Sequence, residues 1–317
     1  MFYLFPLLTV IIWSGNAIVN KLSVSVIDPG AISFYRWFFA MVVLTPFVLP
    51  SVWRNRDIIK PYLTKLAFLA LLGMVLNQSL GYFAAATTTA TNMALIVSLV
   101  PLISMFMSVP LLGQRMRIVG VVGAVLSLAG LVLMLSKGNI MNLAQQGISQ
   151  GDGLVLLAAF VYALYCVLLK RWKMPLTNWQ SVYVQGVLAV TMLTPMLLSS
   201  ERMAITGESL PLIMYAAIPA SVIAPWCWMK GIEVLGADRT AMFMNLMPVL
   251  TAIIASVALG EQLAQYHYVG GMMVLTGVVL AQRKPKVPAP VSVSAETQGE
   301  TVVDSVSPAV NEMKASS

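Results

Sequence analysis

Residues 94–113 read ALIVSLVPLISMFMSVPLLG, and residues 241–260 read AMFMNLMPVLTAIIASVALG. A displacement of 147 residues lays one on the other without a gap: Ala94 on Ala241, Leu99 on Leu246, Pro101 on Pro248, Leu112-Gly113 on Leu259-Gly260. Each stretch is an apolar run of about the 20 residues that a helix needs to cross roughly 30 Å of hydrocarbon. The same displacement holds from about residue 82 to 133 and carries Gly123 onto Gly270 and Gly130 onto Gly277. A displacement of 149 aligns the starts of the two halves: Trp13 with Tyr162, Lys21 with Lys170, and Leu44-Thr45-Pro46 with Leu193-Thr194-Pro195. Self-similarity along one chain marks a repeated architecture.

Composition agrees with a membrane location. Of the 317 residues, 59% are hydrophobic and only 10% charged, whereas a soluble domain carries roughly a quarter charged residues. The pattern predicts ten spans near 2–20, 31–50, 66–84, 92–112, 118–136, 153–169, 179–198, 211–230, 240–259 and 267–282. The fold class expected is therefore an all-α integral membrane protein of about ten transmembrane helices in two inverted five-helix repeats. The segment Met1 to Asn20 lacks a basic leader and reads as a first span rather than a cleaved signal. The first repeat covers 1–136, a periplasmic linker 137–152, the second repeat 153–284, and a disordered cytoplasmic tail 285–317, rich in Pro, Val, Ser, Thr and Glu.

The formal charge of +7 lies between the apolar runs, which makes it a topology signal rather than a nucleic-acid surface. With the N-terminus inside, one face receives Arg54, Arg56, Lys60, Lys65, Arg115, Arg117, Lys170, Arg171, Lys173, Lys230, Arg239, Arg283, Lys284 and Lys286. The other receives Lys21, Lys137 and Arg202, so 14 basic residues stand against 3 and both termini are expected in the cytoplasm. Five spans per half is an odd number, so the second half enters upside down. Inverted repeats recur in secondary transporters, where two similar halves exchange conformations around a midplane site.

These residues resemble the EamA-type family of the drug/metabolite transporter superfamily. The resemblance rests on Trp13-Ser14-Gly15, on Gly81-Tyr82 through Ala84, Ala86, Ala94 and Leu99-Val100-Pro101, and on the echo Gly231, Glu233, Ala241, Leu246-Met247-Pro248 and Leu259-Gly260-Glu261. It implies a central solute cavity and export of a metabolite such as an amino acid. Short loops and the lack of large extramembrane domains fit a bacterial inner membrane. Gly113-Gln114 departs from the Gly-Glu that commonly ends the fourth span, while Gly260-Glu261 keeps it; a role needing an acid in both halves is thereby in doubt.

Polar residues inside a span cost free energy unless they face protein or water, so they mark the candidate cavity wall. Trp13, Asn16, Ala17 and Asn20 share a helical face; Tyr162, Tyr165, Cys166 and Leu169 share the corresponding one. Asn77, Gln78, Gly81 and Tyr82 form another. Asn92, Gln185 and Asn245 complete the polar set of cavity candidates, and Pro101 and Pro248 are candidate hinges, since proline frees a carbonyl and bends a helix. Interhelical hydrogen bonding is the competing reading for the polar residues, and a fixed packing kink for the two prolines. Of Trp226 and Trp228, at most one can face the cavity. Arg36 is the charge to explain: it either snorkels to the interface or grips an anion, and its counterpart Gln185 is neutral. The glycines at 120, 123, 130, 270, 271 and 277 read as close helix packing, and such faces also suit homodimer contacts.

No Gly-Lys-Ser/Thr phosphate loop is present, Cys166 and Cys227 lack metal-ligand spacing, and His267 is the lone histidine. Neither a cofactor, a metal nor an enzymatic site is expected. The expected partners are a small-molecule substrate and the lipid bilayer. The leading reading is a secondary transporter of a small organic metabolite; the rivals are carriage of an anionic or lipid-linked substrate, and a non-transporting membrane scaffold or receptor.

Overall fold

The computed structural model describes residues 3–113, 118–139, 141, 148–236, 240 and 243–282. The expected tail, residues 140 and 142–147 of the expected linker, Gln114, Arg115, Arg117, Asp238 and Arg239 lie outside the described residues. The described residues form helices and no strand. In chain order these are α1 (Leu4–Ser23), α2 (Pro29–Arg54), α3 (Arg56–Ala84), α4 (Ala90–Leu112) and α5 (Ile118–Leu135), then α6 (Gln150–Trp172), α7 (Asn178–Leu198), α8 (Ser209–Leu235), α9 (Phe243–Leu259) and α10 (Gln265–Gln282). The first eight are long and apolar enough to cross a membrane, and α9 is a shorter apolar helix.

Several helices outrun their expected spans. α3 starts at Arg56 rather than 66, because the basic turn Arg56–Tyr62 is already helical. α6 starts at Gln150 rather than 153: Ser149 caps it by accepting from the Asp152 N–H, which draws Asp152 into the first turn.

The two halves repeat the same irregularities. α3 widens into a π-helical stretch at Leu71–Leu76, and α8 does so at Pro219–Ile223. α4 breaks after Val97 and restarts at Val100, while α9 opens with a 3-10 turn and restarts at Met247. Pro101 and Pro248 are each the second residue of a restarted segment, where a missing N–H leaves no helical bond unmade. Both segments end on a left-handed glycine, Gly113 (φ 66°, ψ 21°) and Gly260 (φ 66°, ψ 22°), a conformation that side chains disfavour.

Helices related by the displacement cross in opposite directions. In the pair α2/α7, Gly30 lies against Met196 and Ser200, Met41 against Gly186, and Ser51 accepts from Gln180. In the pair α5/α10, Gly123 lies against Gly277 and Gly130 against Gly270. Lipid tails are as apolar as leucine, so this seam is held by van der Waals packing and backbone approach rather than by hydrophobic burial. Ser127 adds a hydrogen bond to Val274 O (2.9 Å), and α5 turns Val121, Val125 and Leu128 outward.

The first helix of each half packs on the other half. Thr9 Oγ1 donates to Ala224 O and Ser14 Oγ to Met247 O, which docks α1 on α8 and α9. Gly73 and Gly151 fit α6 against α3, beside Tyr165 and Ala84 respectively.

Candidate functional site

A cavity of about 650 Å³ lies within the bundle, walled by residues of α1 to α4 and α6 to α9, with none from α5 or α10. Among the residues expected on its wall, Trp13, Asn16, Arg36, Asn77, Gln78, Tyr162 and Tyr165 line it. The structure places the other four elsewhere. Tyr82 is 1% exposed and sits behind Arg36 in a core with Ile27, Ala31, Ile32 and Ile213. Asn92 reaches Asp152 at one end of the bundle (3.3 Å). Gln185 is fully buried and donates to Ser181 Oγ (2.8 Å). Asn245 stands in the 3-10 turn opening α9, where its neighbours Met244 and Met247 take the wall positions. Trp228 lines the cavity, and Trp226 is 44% exposed on the outer surface.

Arg36 does not snorkel. It lies seven residues into α2, about 10 Å deep at 1.5 Å per residue, and is 4% exposed. Its Nε donates to Ser221 Oγ (2.8 Å), and its Nη1 donates to Gln78 Oε1 (2.9 Å) and more weakly to Tyr82 Oη (3.4 Å). Every acceptor it has among the described residues is neutral.

The two π stretches shape the wall, a setting in which such bulges often serve function. Gly73 and Met74 of the first and Ala220 and Ser221 of the second face the cavity. Each is tied by an indole: Trp37 Nε1 donates to Met74 O (3.2 Å) and Trp13 Nε1 to Ala220 O (3.1 Å). A Cβ on Gly73 would come 2.7 Å from the Tyr165 ring, so the glycine makes the room that ring occupies. Aromatic pairs flank the space. Tyr162 and Tyr165 stack at 5.5 Å, and Trp13 and Trp228 meet tilted at 5.7 Å.

The ends of the bundle differ. On the side of the α6–α7 connection the wall runs out to Lys173, Leu176 and Asn178. On the opposite side polar ties join the elements. Lys21 Nζ donates to Ala85 O (2.7 Å) and Thr88 O (2.8 Å). Asp152 accepts from Thr88, Ser149 and Asn92. Glu261, after α9, accepts from Ala90 N (2.7 Å), Thr91 N (3.2 Å) and Thr91 Oγ1 (2.8 Å) at the start of α4, where a helix N-terminus favours negative charge. Arg202 pairs with Asp28 (3.0 Å). Backbone N–H groups of Arg202 and Glu201, with the Arg202 guanidinium, hold the Asp28 carboxyl below its ordinary value of 3.8. At the other end of the bundle, Lys230 pairs with Glu233 (2.7 Å).

A helical membrane bundle enclosing a polar and aromatic cavity belongs to the class of multi-pass membrane transporters. The particular family follows from comparison: the EamA-like transporter family matches residues 1–136 and again 149–282, and the chain belongs to it. Over 284 residues the chain is 28% identical to an uncharacterized transporter of Archaeoglobus fulgidus, covering 87% of this chain and 96% of that protein. Over 274 residues it is 25% identical to the uncharacterized transporter YyaM of Bacillus subtilis, covering 84% and 89%. A solved crystal structure shares the fold, with a TM-score of 0.60 at 18% identity over 88% of this chain and 94% of that one.

Proposed function

We propose that the protein is a secondary transporter that moves a small organic metabolite by alternating access through this cavity. One observation carries the reading: residues of both halves wall a common cavity that reaches the α6–α7 connection while an ion pair and capped helix ends tie the opposite side. The charge bias supports a cytoplasmic location for the reachable side, and with it the reading of an inward-facing state that loads a solute for export. Antiparallel crossing of equivalent helices supports it, because either half can adopt the other's conformation in the opposite sense. An amino acid, the solute expected from the family resemblance, would meet Arg36 with its carboxylate but no lining carboxylate with its ammonium group.

Purified protein in liposomes, given a pooled metabolite mixture and an imposed proton gradient in each direction, tests the reading by mass spectrometry of retained solutes. Selective accumulation over empty liposomes is expected. No selective flux under either gradient would sink it and favour a scaffold or receptor role.

A further inference from the structure

We propose that the cavity selects a monocarboxylate with an apolar or aromatic body, gripped through Arg36, over the matching zwitterion, neutral amide or cation. The inference rests on reading the cavity as the transport site and adds the charge class of its ligand.

The case begins with an imbalance of charge. The cavity wall carries two cations, Arg36 inside and Lys173 at the mouth, and no Asp or Glu among the described residues. The ion pairs among the described residues are Arg56–Asp57, Lys60–Asp57, Arg202–Asp28 and Lys230–Glu233, none of which includes Arg36. The partly buried acids Asp152 and Glu261 are engaged by neutral donors at the tied end. A guanidinium withdrawn from water without a counterion is unfavourable, and a bound anion supplies what the protein does not.

The hydrogen-bond inventory points the same way. Arg36 spends Nε and Nη1 on Ser221, Gln78 and Tyr82, and no acceptor among the described residues takes Nη2. A guanidinium can only donate, so Gln78 must turn its oxygen to Arg36. Its own –NH₂ is thereby held next to the guanidinium. Asn77, also on the wall, makes no side-chain hydrogen bond among the described residues. The Arg36 Nη2 and the Gln78 –NH₂ thus remain unspent at one charge, an arrangement suited to the two oxygens of a carboxylate. The Trp13–Trp228 and Tyr162–Tyr165 pairs offer flat apolar surface for the rest of the ligand. One interior cation matches one negative charge; an ammonium would add a positive charge beside Arg36 with nothing to neutralise it.

Four probes that share a phenyl ring and a three-carbon chain decide the matter: 3-phenylpropionate, 3-phenylpropanamide, L-phenylalanine and 3-phenylpropylamine. Their binding to the wild-type protein in nanodiscs is measured by calorimetry. The propionate is expected to bind at least about 10-fold tighter than the other three, as charge-assisted bonds to a buried guanidinium imply. Arg36→Gln should weaken the propionate about 10- to 100-fold and the amide by much less, which narrows the gap between them; Arg36→Lys should restore part of the preference. Arg36 also ties α2 to α3 and α8, so the wild-type comparison decides even if Arg36→Gln fails to fold. Equal binding of propionate and amide, tightest binding of phenylalanine, or no binding by any probe overturns the inference. The two readings fail separately: flux of some pooled solute with no anion preference sinks the charge class alone, while absence of all flux sinks the transport reading.

Discussion

Replacing Gly130 by alanine tests the packing of the α5/α10 seam. A Cβ there would lie 2.6 Å from Gly270 O, 2.7 Å from Met273 Cβ and 2.9 Å from Val274 N. Carbon contacts are comfortable at about 3.5–4.0 Å, so the helices must part by roughly 1 Å. Two of the three obstacles are backbone atoms, which cannot rotate aside. Overpacking of this kind costs about 1–3 kcal/mol. Parting the helices also stretches the Ser127–Val274 hydrogen bond, worth about 1 kcal/mol. Alanine recovers about 1 kcal/mol of helix propensity, which leaves a net loss of about 1–3 kcal/mol. Gly153 in α6 is the control: a Cβ there meets nothing within 4 Å, so Gly153→Ala should gain about 0.5–1 kcal/mol from propensity alone. Equilibrium unfolding in mixed micelles titrated with dodecyl sulfate, followed by circular dichroism, measures both. The double variant Gly130→Ala, Gly270→Ala should cost less than the sum of its parts, because the helices separate only once. If Gly130→Ala proves as stable as Gly153→Ala, the seam is not close-packed and the reasoning is wrong.

Three further outcomes follow from the sites described. Glu261→Gln should weaken the tie at the start of α4 by about 1–2 kcal/mol. With Cys166 and Cys227 replaced and cysteine placed at Ala94 on the wall, alkylation by an impermeant reagent from that side should rise; an unchanged rate would show that Glu261 does not hold that end shut. Asp28 has a lowered pKa, so its contribution to stability is complete above 3.8 and lost as pH falls through the lower folded-state value. The gap in Tm between wild type and Asp28→Asn should therefore close on acidification below pH 3.8, and a gap that widens there would contradict the assignment. Trp37→Phe keeps the ring but deletes the bond to Met74 O; about 1 kcal/mol of stability should go with it, read in the same unfolding assay, and no loss would mean that the indole does not brace the π stretch.

The duplicated halves were legible because prolines and glycines have strict positional uses: Pro101 and Pro248 restart helices, and Gly113 and Gly260 end them in the left-handed region. Trp13, Asn16, Asn77 and Gln78 were legible on the wall because lipid excludes polar side chains and leaves the interior as their place. Tyr82 shows where helical-face reasoning stops. Spacing puts it on the face of Gln78 but gives no depth, and it sits behind Arg36. Trp37, Gly73, Ala220, Ser221 and Lys173 were missed on the wall, the middle three because a π stretch has no signature in hydropathy and shifts every face beyond it. Glu261 could not be matched to Ala90 and Thr91 across some 170 residues of chain. Asp152 was within reach: Ser149, three residues ahead of it, is a capping signal lying in what composition alone reads as linker.

The α5/α10 seam carries a consequence for how such a chain can be divided. Gly123 meets Gly277 and Gly130 meets Gly270, while the displacement makes Gly123 the counterpart of Gly270 and Gly130 that of Gly277. Each contact is thus the other with its partners exchanged, the isologous pattern of a twofold dimer. At these glycines the face of α5 is complementary to itself, which is the geometry that a second copy of the first half, set antiparallel, would need at this joint.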